Sequence, residues 1–114
     1  MDYEECKKII IFECIAGEGF LVKLHGHEFS KAQFDELFKA LLFYRDFTRN
    51  ADLIEKEMVY SLYFLDNELT GILKYFSKDD FFLELQTSQM KCSELIIDII
   101  TPKKMRGTLP GYFI

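Results

Sequence analysis

His25 and His27, the only two histidines in the chain, stand two residues apart in "VKLHGHEFS". On an extended strand that spacing turns both imidazoles to one side, where they could share a metal ion. Structural zinc needs four ligands and catalytic zinc three, and Glu28 is the one nearby supplement. Cys6, Cys14 and Cys92 form neither a CxxC pair nor an even disulfide set, so they read as small hydrophobes of a reducing compartment. Lys7 and Lys8 beside Cys6 are weak grounds for a reactive thiolate. A Cys6 and His27 couple would lack a third group to orient the base.

Other catalytic signatures are missing. The chain has no GxGxxG, GxxxxGK[ST], GxSxG or HExxH, and "AGEGF" shares only two glycines with a phosphate loop. Asp79 and Asp80 are neighbours that point apart in most backbones, which suits a loop better than acid and base work. The expectation is a protein without enzymatic activity, cofactor or metal. The alternative is a small hydrolase or metal enzyme using His25, His27 and a carboxylate.

The elements that would position these groups begin with two apolar runs, Lys7 to Ala16 and Phe20 to His25, around Gly17-Glu18-Gly19. They read as a β-hairpin, with Gly19 in the left-handed conformation. In that register Cys14 faces Val22, Phe12 faces Leu24 and Glu13 faces Lys23, giving one apolar face and one mixed face. His25 falls opposite Ile11 and His27 opposite Ile9, on the mixed face, while Cys14 points to the other side. The histidines are thereby read as a strand end, not a metal clasp.

"EFSKAQFDELFKALLFYRDFTR" carries the clearest local signal. Ser30 is an N-cap, Gln33 completes a capping box, Phe29 can staple onto Phe34, and the spacing predicts a helix from Lys31 to about Thr48. A second helix opens at Asp52, with Glu55 in the box position, and runs to Phe76 with a possible break near Asp66-Asn67 or Gly71. Val59, Tyr60, Tyr63, Phe64 and Tyr75 lie off its apolar stripe, so it is either central or half of an interface. "DFFLELQTS" and "SELIIDIITP" read as two strands joined around Ser88 to Ser93, with Asp98 on a solvated face. Pro102 ends the second. The tail after it is too rich in Gly and Pro for a regular element, although Tyr112 to Ile114 could dock back. The sum is a single α+β domain over residues 1–114: β-hairpin, two helices, β-hairpin, with a mostly antiparallel sheet covered on one face.

Composition bounds the partners. Of 114 residues, 49% are hydrophobic and 16% aromatic, enough for a core without a staple. Fourteen Lys and Arg against nineteen Asp and Glu give a net charge of -5, which disfavours nucleic acid and favours basic partners. Lys103, Lys104 and Arg106 make only a small basic patch. The N-terminus is acidic where a targeting peptide would be basic, and no apolar run nears the roughly 18 residues of a membrane span, so a cytoplasmic protein is expected. Asp52, Glu55, Tyr60, Tyr63, Asp66, Glu68, Asp79 and Asp80 are the candidate partner-binding residues: carboxylates steer a basic partner and tyrosines bury area at low entropic cost. In size, acidity and lack of motifs the chain is similar to bacterial immunity proteins and phage-encoded inhibitors, which implies an inhibitor, as in a toxin-antitoxin pair, that masks a basic surface. A self-associating domain, dimeric through the Asp52 to Phe76 helix, is the competing expectation.

Overall fold

The computed structural model describes residues 1–105, whose regular elements are all helices, with no strand among them. The expected α+β domain gives way to a helical bundle. Its helices are α1 (Tyr3–Ile15), α2 (Phe20–His25), α3 (Lys31–Thr48), α4 (Lys56–Ile72) and α5 (Phe82–Ile100). A 3-10 turn, Leu73–Phe76, extends α4, and a second, Lys103–Met105, follows α5.

Both expected hairpins are overturned for the same reason. The residues buried on α1 are Cys6, Ile10, Glu13 and Cys14, a helical recurrence, and Asp2 caps the helix by accepting the Glu5 N–H at 2.8 Å. Phe12 and Cys14 do not share a face: Cys14 is fully buried and Phe12 is 46% exposed. On α5 the buried set is Leu85, Ser88, Cys92, Leu95, Ile96 and Ile99, so the loop expected around Ser88 to Ser93 is the middle of a helix. Ser88 is tolerated there because its hydroxyl donates to the Glu84 carbonyl at 2.8 Å. The β-branched runs Ile9 to Ile11 and Ile96 to Ile100 favoured strand, yet helix propensity differs by at most about 0.7 kcal/mol per residue. Burying one such side chain contributes about 1.5–3 kcal/mol, so the face that packs decides. Asp98 does not mark a solvated sheet face; it is half-buried and lies 3.9 Å from the Arg45 guanidinium of α3.

The central helices form nearly as expected. Ser30 caps α3 through the Gln33 N–H at 3.3 Å. Phe29 and Phe34 both pack on Phe20, with ring centroids 5.9 and 5.6 Å from it. α4 starts at Lys56, leaving Asp52 in the preceding connection and Glu55 at the N-cap position, and it passes Asp66, Asn67 and Gly71 without a break.

Tyr3 stacks on Tyr44 and Glu13 bonds Gln33, so α1 and α3 are antiparallel; Lys7 reaches Glu55, so α1 and α4 are parallel. Ser93 bonds Asp66 and Arg45 approaches Asp98, which runs α5 against α4 and along α3. α1 packs on α3 and α4, and α5 packs on the same two, so α1 and α5 lie across one diagonal and α3 and α4 across the other. With 13 residues α1 is shorter than the 17 to 19 of the three long helices, and the six-residue α2 fills the space beyond its end. Among the described residues no helix is long and apolar enough to cross a membrane. The expectations for Arg106 and for Tyr112 to Ile114 fall outside the described residues.

Gly17-Glu18-Gly19 is a turn, but between two helices. Gly19 has φ -77, not a left-handed value, and serves as the N-cap of α2. Its lack of a side chain is required by close approach: a Cβ there would stand 2.2 Å from the Phe12 carbonyl oxygen. A Cβ on Gly17 would meet nothing within 4 Å. Gly19→Ala should therefore lower the unfolding free energy by about 2 kcal/mol, as forced backbone shifts do, and Gly17→Ala should change it by less than about 0.5 kcal/mol. Urea denaturation of the two variants measures both.

Candidate functional site

The histidines are positioned by the way α2 ends. The His27 N–H donates to the Leu24 carbonyl and the Glu28 N–H to the Lys23 carbonyl, both at 2.9 Å, the bond pair of a Schellman C-cap. The residue that takes the left-handed conformation is His27, at φ 70, although Gly26 precedes it. A glycine adopts that conformation freely, whereas another L residue loses about 1 kcal/mol there. His27 is held by two contacts that glycine could not make. Its ring stacks on Phe76 at 4.4 Å, and its Nε2 lies 3.0 Å from Asp79 Oδ2. His25, on the last turn of α2, sets its Nε2 3.1 Å from Glu68 Oε2 of α4.

Neither histidine, then, is the end of a strand opposite Ile11 or Ile9; each is paired with a carboxylate from α4 or the segment after it. Between them opens a cleft of ≈ 460 Å³. His25, His27, Asn67 and Glu68 form its polar wall, Ile72, Tyr75 and Phe76 its apolar wall, and Gly71 lies between. A Cβ on Gly71 would meet nothing within 4 Å, so the space beside it is open. Among the described residues no three of His, Cys, Asp and Glu are placed to hold a metal ion.

The thiols differ from the groups of this cleft in character. All three are free and buried, and desolvation pushes each one up, Cys92 to about 12. Cys6 sits on the first turns of α1, at the end of the bundle away from α2, so it forms no couple with His27.

The eight candidate partner-binding residues divide. Glu55 accepts from Lys7 Nζ and from the Tyr3 hydroxyl, each at 2.5 Å, which joins α1 to the start of α4. Tyr3 is thereby committed to Glu55, and the buried Tyr44 hydroxyl beside it has no partner at hydrogen-bond geometry among the described residues. Asp66 accepts from Ser93 of α5, Glu68 pairs with His25, and Asp79 pairs with His27. Four carboxylates are thus engaged inside the fold. Asp52, Asp80, Tyr60 and Tyr63 remain exposed. Tyr60, Tyr63, Asn67 and Gly71 recur at helical spacing along the outer side of α4, and Tyr75 continues the row on the following turn. Tyr75, Asn67 and Gly71 are not among the eight residues expected from the sequence. The signal for them was the row itself, once α4 is taken to run unbroken past Gly71.

The Lys7 ammonium, with the Tyr3 hydroxyl, holds the Glu55 carboxyl down to about 2 from its ordinary 4.5. A depressed folded value means the contribution is complete above pH 4.5 and fades as the pH falls toward about 2. Glu55 is partly exposed, so screening reduces the effect to about 1 kcal/mol. Acid titration of stability should show that much more loss over this range in the parent than in Glu55→Gln. At the other end of the bundle, His27→Ala keeps the backbone strain and loses both contacts, so it should be less stable than His27→Gly by about 1 kcal/mol in thermal unfolding. Comparison with family models, curated proteins and solved structures gives no match to this chain.

Proposed function

We propose that this chain is a small acidic protein-binding domain that masks a basic surface of its partner, in the manner of an immunity protein or phage-encoded inhibitor. The observation that carries the reading is the outward row on α4: Tyr60, Tyr63 and Tyr75 are 59%, 67% and 70% exposed. A tyrosine that packs buries about 150–250 Å² and still satisfies its hydroxyl, which is why such residues anchor interfaces. Tyr60 is already steadied by stacking on Phe64, with centroids 5.9 Å apart, so little freedom is lost when a partner covers it. The net charge of -5 supports a basic partner and fast, salt-sensitive association. Three buried free thiols suit a reducing compartment such as the cytoplasm.

Internal pairing of Glu55, Asp66, Glu68 and Asp79 narrows the surface that meets the partner. In this reading the tyrosine row supplies the affinity, and the exposed carboxylates Asp52 and Asp80 steer from its two ends.

A photo-crosslinking phenylalanine analogue placed at Tyr63, with the same analogue at exposed Glu36 of α3 as control, tests this in the cells that make the protein. The expected result is one basic protein captured from position 63 and not from 36, whose own activity falls when the complex forms. Tyr60→Ala with Tyr63→Ala should weaken that complex by about 2 kcal/mol or more, the scale of interface anchors. Capture of only a second copy of this chain, or equal capture from both positions, would overturn the reading.

A further inference from the structure

We infer that the cleft between α2 and the end of α4 is a pocket for an arginine side chain of the partner, entered by its guanidinium group. The inference rests on the protein-binding reading above and names what that partner presents.

The argument is chemical complementarity. Each imidazole is committed through Nε2 to a carboxylate. Glu68 gives one oxygen to His25, and among the described residues its other oxygen has no polar partner. A carboxylate oxygen left open to accept favours a ligand that carries positive charge and donors, and guanidinium has five N–H groups and no acceptor. Its plane also suits the apolar wall, because guanidinium stacks on aromatic faces while ammonium binds as a hydrated point charge. Tyr75 already draws a cation: the Lys74 ammonium lies 5.3 Å from its ring centroid. The side chains of Glu68 and Asp79 are 31% and 30% exposed, so both are partly withdrawn from water, where attraction to a cation is stronger than at an open surface. An anion would meet the Glu68 carboxylate and be repelled.

The probe is the blocked tripeptide acetyl-Gly-Arg-Gly-amide, titrated into the intact protein while the imidazole and Tyr75 ring signals are followed by NMR. Matching peptides carry citrulline, an uncharged near-isostere, or lysine. The arginine peptide should shift the His25, His27 and Tyr75 signals in a saturable way, and citrulline should leave them in place. Glu68→Gln should weaken binding by about tenfold, the worth of a charge-assisted hydrogen bond. Gly71→Leu fills the cleft without touching the core and removes a helix-weakening glycine, so it should fold and lose most of the binding. Equal shifts from citrulline, equal affinity for lysine, or unchanged arginine binding in Gly71→Leu would each overturn the assignment. A silent cleft with the Tyr63 crosslink intact removes the arginine pocket alone; a responsive cleft with no crosslink removes the inhibitor reading alone.

Discussion

The buried carboxylate of Glu13 is the constraint on which the arrangement of the histidine end depends. It lies near the end of α1, 5% exposed, and one of its oxygens accepts both the Phe20 N–H at 2.9 Å and the Gln33 amide at 2.8 Å. The first bond satisfies an otherwise orphaned donor at the start of α2, and the second ties the start of α3 to the same point. Gln33 also donates to the Glu18 carbonyl and accepts from Lys23, so three helices and one turn meet around two side chains. A carboxylate so deep in a protein costs several kcal/mol when left without partners, which makes the geometry of this turn close to obligatory. Gly19 completes it by letting the chain pass against the Phe12 carbonyl. The direction of α2 follows, and with it the places of His25 and His27.

Below that turn, a run of aromatic rings closes this end of the bundle. Phe29 packs on Phe20 and Phe81, Phe81 on Phe76, and Phe76 on His27. The cleft is thus built on a packed base with its polar groups at the rim. Such a base lets a residue hold an unfavourable backbone angle without the loop relaxing, because stacking and the Asp79 bond oppose the strain. The opposite end is secured differently, by Tyr3, Lys7 and Glu55, where α1 meets the start of α4.

How much of this was legible in the sequence depended on how local the signal was. Ser30 with Gln33, and the long recurrence through Met58, Leu62, Leu65 and Leu69, state helices within a few residues of themselves, and both formed. α1 carried an equally local sign, Asp2 three residues before Glu5, which the isoleucine run overshadowed. In α5, Leu85, Ser88, Cys92 and Leu95 hold the helical period across a stretch that looked like a polar loop, because Ser88 and Ser93 satisfy their hydroxyls on Glu84 and Asp66. The candidate site was legible only in part. Tyr60 and Tyr63 could be named from composition and spacing, whereas the partners of His25 and His27 come from 43 and 52 residues away along the chain. No periodicity reports such pairings. Gln33 misled in a subtler way: it stands where a capping box needs it, yet its side chain is spent on Glu13.

The diagonal step from α3 to α4 has a kinetic meaning. Simple up-and-down bundles can zip neighbour by neighbour, but here the first helix packs on α4 as well as on α3, through contacts that join residues 48 and 52 positions apart. A loop of that length must close before those contacts repay its entropy, and chains rich in distant contacts fold more slowly than bundles of local ones. The packing of the N-terminal helix is therefore completed late, after α3 has been laid down and crossed. During synthesis the first half of this protein must wait, incompletely covered, for the second half to emerge.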